Sequence, residues 1–183
     1  MEKNYIIAGF GGQGVLFAGK MLANAFMLAD KNVTWYPCYG AEMRGGTVNC
    51  EIVVSESEVS SVHKQEIDCL MALNQLSLNK FESRVKSGGK IIYNSSLAKP
   101  LKKRNDVEYI SAPVSELALS LGSSKFVNMV VLGVLSSVEN ILTEDLLKNA
   151  LVIVLTENKK HLVEPNFKAF LCGREKFQML NIT

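Results

Sequence analysis

The chain reads as an α/β domain, a largely parallel sheet flanked by helices, Rossmann-like at its start and helical towards its C-terminus. Three observations predict this. Short apolar or β-branched runs alternate with helix-length runs between residues 4 and 110, the pattern of strands joined by crossover helices. A glycine turn, Gly9-Phe10-Gly11-Gly12-Gln13-Gly14, joins the first strand-like run to the first helix-like one. From Pro113 onward helical spacing dominates.

Residues 4–8, Asn-Tyr-Ile-Ile-Ala, form a buried-strand run, and residues 15–28 place Val15, Leu16, Met21, Leu22, Ala25, Phe26 and Leu28 at helical spacing. Residues 33–36 predict a second short strand. Gly45 and Gly46 interrupt the pattern before the β-branched stretch 47–54. Residues 67–73 predict a buried strand, and 77–85 a helix stopped by Ser87-Gly88-Gly89. Strands over 90–93 and 107–110 follow. Pro113 suits a first helical turn leading into 114–121. Residues 128–138 predict a buried helix carrying Gly133. Thr143, with Glu144 and Asp145 behind it, reads as a helix cap. Residues 151–155 suit either the end of that helix or a strand. Residues 158–173 predict a last helix, with Pro165 as a kink or break and Gly173 near its end.

The 183 residues suggest one domain, residues 1–183, with ample material for a core. The formal net charge of +2 gives no reason to expect nucleic-acid binding. The four cysteines, at 38, 50, 69 and 172, form no C-x-x-C pair, which argues against a metal or iron–sulfur site in this chain. Disulfides are not expected either, and the four read as mostly buried. No run approaches the ~20 apolar residues of a membrane span. The N-terminus enters a strand without a signal-peptide layout, so a cytoplasmic protein is expected.

The glycine turn sets bare amides at a helix N-terminus, where they and the helix dipole favour an anion. Its spacing is G-x-G-x-x-G. A dinucleotide site also expects an acid at the end of the second strand. That region reads Val33-Thr34-Trp35-Tyr36-Pro37, and Asp30 comes too early. The Gly-Lys-Ser/Thr ending of a nucleotide P-loop is absent, and Gln13 offers an amide in place of a cation. Three readings stay open: a tight packing turn, a loop meeting phosphates or amides, and a subunit contact.

A second dense segment runs from Tyr36 to Thr47, with aromatics, two charges and three glycines after a strand. Loops of this kind carry function more often than connectors do. Arg44 can grip a carboxylate or phosphate in a two-pronged contact, with Glu42 holding the guanidinium. A solvated Glu42–Arg44 pair accounts for the same residues equally well.

Other residues have plainer readings. Asn74, after a strand, suits a local turn bond or a ligand contact. His63 and His161 stand apart from each other and from any acid cluster, as surface histidines do. Lys102, Lys103 and Arg104 read as a solvated loop. Met21, Met27, Met43, Met71 and Met129 read as core, while Trp35 and Tyr39 are interface candidates.

Taken in order, these motifs resemble the gamma subunit of the 2-oxoacid:ferredoxin oxidoreductases. Gly9-Phe10-Gly11-Gly12-Gln13-Gly14-Val15 is similar to that family's glycine loop. Tyr39-Gly40 with Glu42-Met43-Arg44-Gly45-Gly46-Thr47 is similar to its second motif. Leu73-Asn74-Gln75, Ser77, Gly88-Gly89, Tyr93-Asn94-Ser95 and the closing Asn166, Ala169, Phe170 and Gly173 continue the likeness over nearly the whole chain. The Glu-Met-Arg-Gly-Gly-Thr sequence lies closer to the 2-oxoglutarate and branched-chain 2-oxoisovalerate enzymes; pyruvate enzymes more often carry Arg-Gly-Ala there. Residues 60–66 depart from the pattern, since relatives often show prolines in that loop.

The resemblance implies a part in oxidative decarboxylation of a 2-oxoacid with coenzyme A, giving acyl-CoA and carbon dioxide. Thiamine diphosphate and iron–sulfur clusters would sit on partner subunits. Those partners would be alpha, beta and ferredoxin-like delta chains, with ferredoxin as electron acceptor. The isolated chain would be inactive, with self-association left open. The implied functional edge is Gly11, Gly12, Gln13 and Gly14 with Glu42, Arg44, Gly45 and Gly46, facing coenzyme A or another subunit. The small subunit of an indolepyruvate enzyme, a free-standing nucleotide-binding protein and a purely structural assembly module are the competing readings.

Overall fold

A computed structural model of the chain describes residues 2–38, 47–59, 61, 63–139 and 141–180, the last three by backbone alone. Six strands form one sheet in the order β2-β3-β1-β4-β5-β6. They are β1 (Glu2–Phe10), β2 (Asn32–Cys38), β3 (Thr47–Ser55), β4 (Ile67–Ala72), β5 (Val85–Asn94) and β6 (Glu108–Ala112). The pairs β1–β4, β4–β5 and β5–β6 are parallel, and β3 runs antiparallel to both of its neighbours.

Among the described residues there are also six α-helices: α1 (Val15–Leu28), α2 (Gln75–Phe81), α3 (Val114–Ser120), α4 (Val127–Val138), α5 (Glu144–Val154) and α6 (Val163–Leu180). The two faces of the sheet are covered unequally. Tyr5, Ile7, Cys50, Ile52, Cys69, Met71 and Ile92 share one large core with α1, α3, α4, α5 and α6. On the other face, among the described residues, Ile6, Ala8, Leu70, Ala72 and Ile91 pack with α2 and residues near Ala98 and Val107.

Small residues set the closest approaches. A β-carbon on Gly19 of α1 would stand 2.4 Å from Cys50 Sγ and 2.9 Å from Trp35 Nε1. Trp35 is partly buried and packs beneath α1 against the large core.

Several elements differ from the sequence expectation. Ser87-Gly88-Gly89 does not stop a helix: α2 ends at Phe81, a 3₁₀ turn covers Glu82–Arg84, and the glycines lie inside β5. Between the pairs Ile67–Val85 and Cys69–Lys90 the register shifts. Gly88 takes φ 76 there and its N–H reaches the Asp106 carbonyl at 2.7 Å, so the glycines make a bulge. Residues 151–154 complete α5 as helix. Pro165 lies in the first turn of α6, where no helical N–H is lost, and does not break it. Gly173 does not end α6 either; it sits against the Val130 backbone. Met27 is 60 % exposed rather than core, and Cys38 and Cys172 are only half-buried. Among the described residues no helix is long and apolar enough to cross a membrane.

Candidate functional site

The strand order locates the site. From β1 the chain turns towards β2 and β3, then returns past β1 to β4. Ligands on open α/β sheets bind at the carboxyl ends of strands flanking such a reversal. The glycine turn follows β1 and Asn74 follows β4, so both lie at that point. The same order removes the basis of a dinucleotide site. β3 separates β1 from β2, and no acid ends β2. Asp30 closes α1 with φ 55, its N–H on the Met27 carbonyl at 3.1 Å.

The turn is held from within. The Gln13 amide N–H of the main chain reaches the Phe10 carbonyl at 3.2 Å. The Gln13 side chain accepts from Phe10 N at 2.6 Å through Oε1 and donates Nε2 to the Leu73 carbonyl at 3.4 Å. Asn94 donates Nδ2 to the same carbonyl at 3.2 Å and to Ser115 Oγ at 2.8 Å. Two side-chain amides thus tie the ends of β1, β4 and β5 to the first turn of α3. Both ends of the Gln13 amide are engaged in this network.

Gly14 caps α1 in the left-handed conformation, φ 71 and ψ 25, and supplies no side-chain bond. Three neighbouring helices begin under side chains, whereas α4, like α1, has no side-chain cap. Asn74 Oδ1 accepts from Ser77 N at 2.8 Å to cap α2, the local bond weighed for that residue. Asn94 Oδ1 accepts from Ser115 N at 3.2 Å in α3, and Thr143 caps α5 from Leu146 N at 3.2 Å. The first main-chain bond of α1 is Ala18 N to Gly14 O at 2.9 Å. The N–H groups of Val15, Leu16 and Phe17 therefore meet no acceptor among the described residues, and α1 has no acid in its first turn. A cleft of about 360 Å³ opens here, lined by Phe10, Gly11, Gly12, Gly14, the first turn of α1 and Val48.

Glu42, Arg44, Gly45 and Gly46, with Tyr39 and Met43, lie outside the described residues. The strands that hold that segment, β2 and β3, pair Cys38 with Asn49, so both of its ends leave the sheet at the edge where the glycine turn sits.

One cluster away from this edge, towards the amino ends of β4 and β5, leaves no mark in the sequence. Glu51 of β3, its side chain 5 % exposed, is gripped by Arg84 Nη1 to Oε1 at 2.8 Å and Nη2 to Oε2 at 3.2 Å. His63 Nδ1 stands 3.0 Å from the same carboxylate, so His63 is not isolated from acids. Arg84 also donates to the Lys64 and Gln65 carbonyls, which pins the chain before β4 across the open sheet face. Positions 51, 63 and 84 share no sequence spacing that would reveal this. Asn94 and Asn128 were likewise not singled out individually; a strand-ending Asn ahead of a helix is the signal for the first.

Two thiols and one hydroxyl are held in their protonated forms. Burial raises the Cys38 thiol, with Glu51 adding to it, and pushes Cys50 up to about 12. Burial, then the charge of Glu139, drive the Tyr5 hydroxyl above its ordinary value. It serves as a fixed donor to Glu139 at 2.8 Å. Among the described residues no group of three or more His, Cys, Asp or Glu could hold a metal ion.

Residues 4–176 match the family described as pyruvate ferredoxin/flavodoxin oxidoreductase. A ketoisovalerate oxidoreductase subunit, VorA, of Methanothermobacter marburgensis is 36% identical over 170 residues, 92% of this chain and 35% of the relative. The chain thus spans about a third of the length of that relative. A 2-oxoglutarate synthase subunit, KorC, of Archaeoglobus fulgidus is 34% identical over 175 residues, 95% of this chain and 87% of the relative. The solved gamma subunit of a keto/oxoacid ferredoxin oxidoreductase from Geobacter sulfurreducens PCA superposes with a TM-score of 0.82 at 27% identity, covering 97% of this chain and 99% of that one.

Proposed function

The chain belongs to the pyruvate ferredoxin/flavodoxin oxidoreductase family, and from this premise we propose that it is the gamma subunit of a ferredoxin-dependent 2-oxoacid oxidoreductase. The complex would decarboxylate a 2-oxoacid oxidatively onto coenzyme A, with 2-oxoglutarate or a branched-chain 2-oxoacid as substrate. The relatives named for ketoisovalerate and 2-oxoglutarate support that substrate class. Thiamine diphosphate and iron–sulfur clusters would be held by alpha, beta and delta partners, and ferredoxin would take the electrons. This chain alone, as one gamma module, would be inactive.

The contribution assigned to it is the coenzyme A side of the active site. One observation carries this: the uncapped, acid-free N-terminus of α1, with the Val15, Leu16 and Phe17 N–H groups open to a cleft beside Gly11, Gly12 and Gly14. Such a row of donors suits a phosphate or a pantetheine amide. Arg44 with Glu42, on the Gly45-Gly46 loop, would supply the fixed charge that the described part of the cleft lacks. Gln13 would act by shape, because its amide holds the turn that presents these donors.

The test is the assembled complex, purified through a tag on this chain and assayed with 2-oxoglutarate, 2-oxoisovalerate, pyruvate and indolepyruvate. Coenzyme A-dependent reduction of ferredoxin with one of the first two supports the reading. A complex that turns over none of them, or one that uses only indolepyruvate, overturns it.

A further inference from the structure

On the opposite side of the carboxyl edge from the glycine cleft, a short loop presents apolar side chains to solvent. Leu101 is 90 % exposed, Leu97 48 % and Leu76, in the first turn of α2, 51 %. Gln75 Oε1 accepts from Lys99 N at 2.8 Å, which ties the start of α2, where Leu76 lies, to the loop that carries Leu97 and Leu101. Lone exposed leucines are ordinary, but Leu97 and Leu101 sit on a loop held at both ends, beside the helix that carries Leu76. Leu97 N and Ala98 N donate to the Asn94 carbonyl at 3.0 and 2.9 Å, and Ala98 is buried. At the far end Arg104 Nη1 donates to the Glu82 and Val85 carbonyls at 3.1 and 2.8 Å, with Asp106 on the other side of the guanidinium. Pro100 stiffens the span between. The leucines are therefore displayed, not left loose.

Three unpaired lysines lie beside them in sequence, with acids held further along the same loop and its neighbours. Lys99, Lys102 and Lys103 are exposed, and none has a carboxylate partner among the described residues. Lys103 lies over the Tyr109 ring, 5.7 Å from its centre, and the nearby acids Glu82, Asp106 and Glu116 are taken by Tyr109, Arg104 and Ser96.

We propose that Leu76, Leu97 and Leu101, with Lys99, Lys102 and Lys103 on the same loop, dock into an apolar pocket with an acidic rim on a partner polypeptide of the same complex. The inference rests on the gamma-subunit reading. A preformed loop binds without an ordering cost, and unpaired lysines at the rim steer an acidic partner and add salt dependence.

The experiment uses the whole complex carrying Leu101→Asp, or Lys102→Glu with Lys103→Glu, and a third form with a photo-crosslinking residue at position 101. The thermal midpoint of the purified chain serves as the folding control, and side chains this exposed should leave it unchanged. Leu101→Asp is expected to weaken subunit association at least about tenfold, and the charge reversal similarly at low salt, with the second loss shrinking as salt rises. The crosslink is expected on an acidic, apolar peptide of a partner chain. An unchanged dissociation constant, a crosslink to a second copy of this chain, or Leu101-dependent binding to phosphatidylserine vesicles overturns the proposal. An intact, active complex with unaltered association refutes this surface alone; a chain that forms no active 2-oxoacid complex refutes the gamma reading and this surface with it.

Discussion

Gly14 and Asn128 meet so closely that a β-carbon on Gly14 would stand 2.3 Å from Asn128 Nδ2. The start of α1 is thereby set against the first turn of α4. Gly14 also carries φ 71, so two independent constraints exclude a side chain there.

Gly14→Ala should therefore cost about 3 kcal/mol, the sum of a left-handed backbone penalty and an overpacked contact. Gly12→Ala is the comparison, since φ there is 97 but nothing lies within 4 Å of the added carbon. It should cost only about 1–2 kcal/mol of backbone strain. Urea unfolding of the two variants separates the effects. Trimming the neighbour with Asn128→Ala should recover part of the loss in Gly14→Ala and none in Gly12→Ala.

The contact between α4 and α6 gives a prediction of opposite sign to helix propensity. A β-carbon on Gly133 would lie 2.0 Å from the Phe170 carbonyl oxygen, and one on Gly173 2.1 Å from that of Val130. In a free helix each Gly→Ala change would stabilise by about 0.5–1 kcal/mol. Here the obstacle is main chain, which cannot swing aside, so each should destabilise by about 1–3 kcal/mol or more. Chemical denaturation midpoints give the sign directly.

The buried Glu51 carboxylate makes Arg84 a structural anchor. Arg84→Ala leaves that charge without its two-pronged partner and should cost about 3–5 kcal/mol. Arg84→Met combined with Glu51→Leu should recover most of the loss. His63, its side chain 60 % exposed, sits at the rim of the same carboxylate, and His63→Ala should fall within about 1 kcal/mol of the parent. A double-mutant cycle on unfolding free energies checks all three.

How much was legible varied with the range of the forces involved. α1 occupies the predicted residues 15–28, because its apolar spacing and the glycine turn before it are both local. Thr143 as a cap is local too. β5 was misjudged at its start because Ser-Gly-Gly has the composition of a helix stop, whereas pairing with β4 and the Asp106 contact make it a bulge. Residue 173 reads as a helix end for the same reason; its glycine is there to admit Val130. At the site, the turn and its bare amides could be read directly. The inward grip of Gln13 could not, because its partner Leu73 is set by the sheet order, and the Glu51–Arg84–His63 cluster depends on tertiary packing in the same way.

The most direct measurement on the central claim is the Michaelis constant for coenzyme A of the assembled complex carrying Arg44→Ala. Losing one charge-assisted contact of about 1.5–3 kcal/mol should raise that constant about 10- to 150-fold. Subunit composition and the Michaelis constant for the 2-oxoacid should stay as in the parent. A fully assembled complex with an unchanged constant for coenzyme A and unchanged turnover would contradict the placement of this subunit at the coenzyme A side.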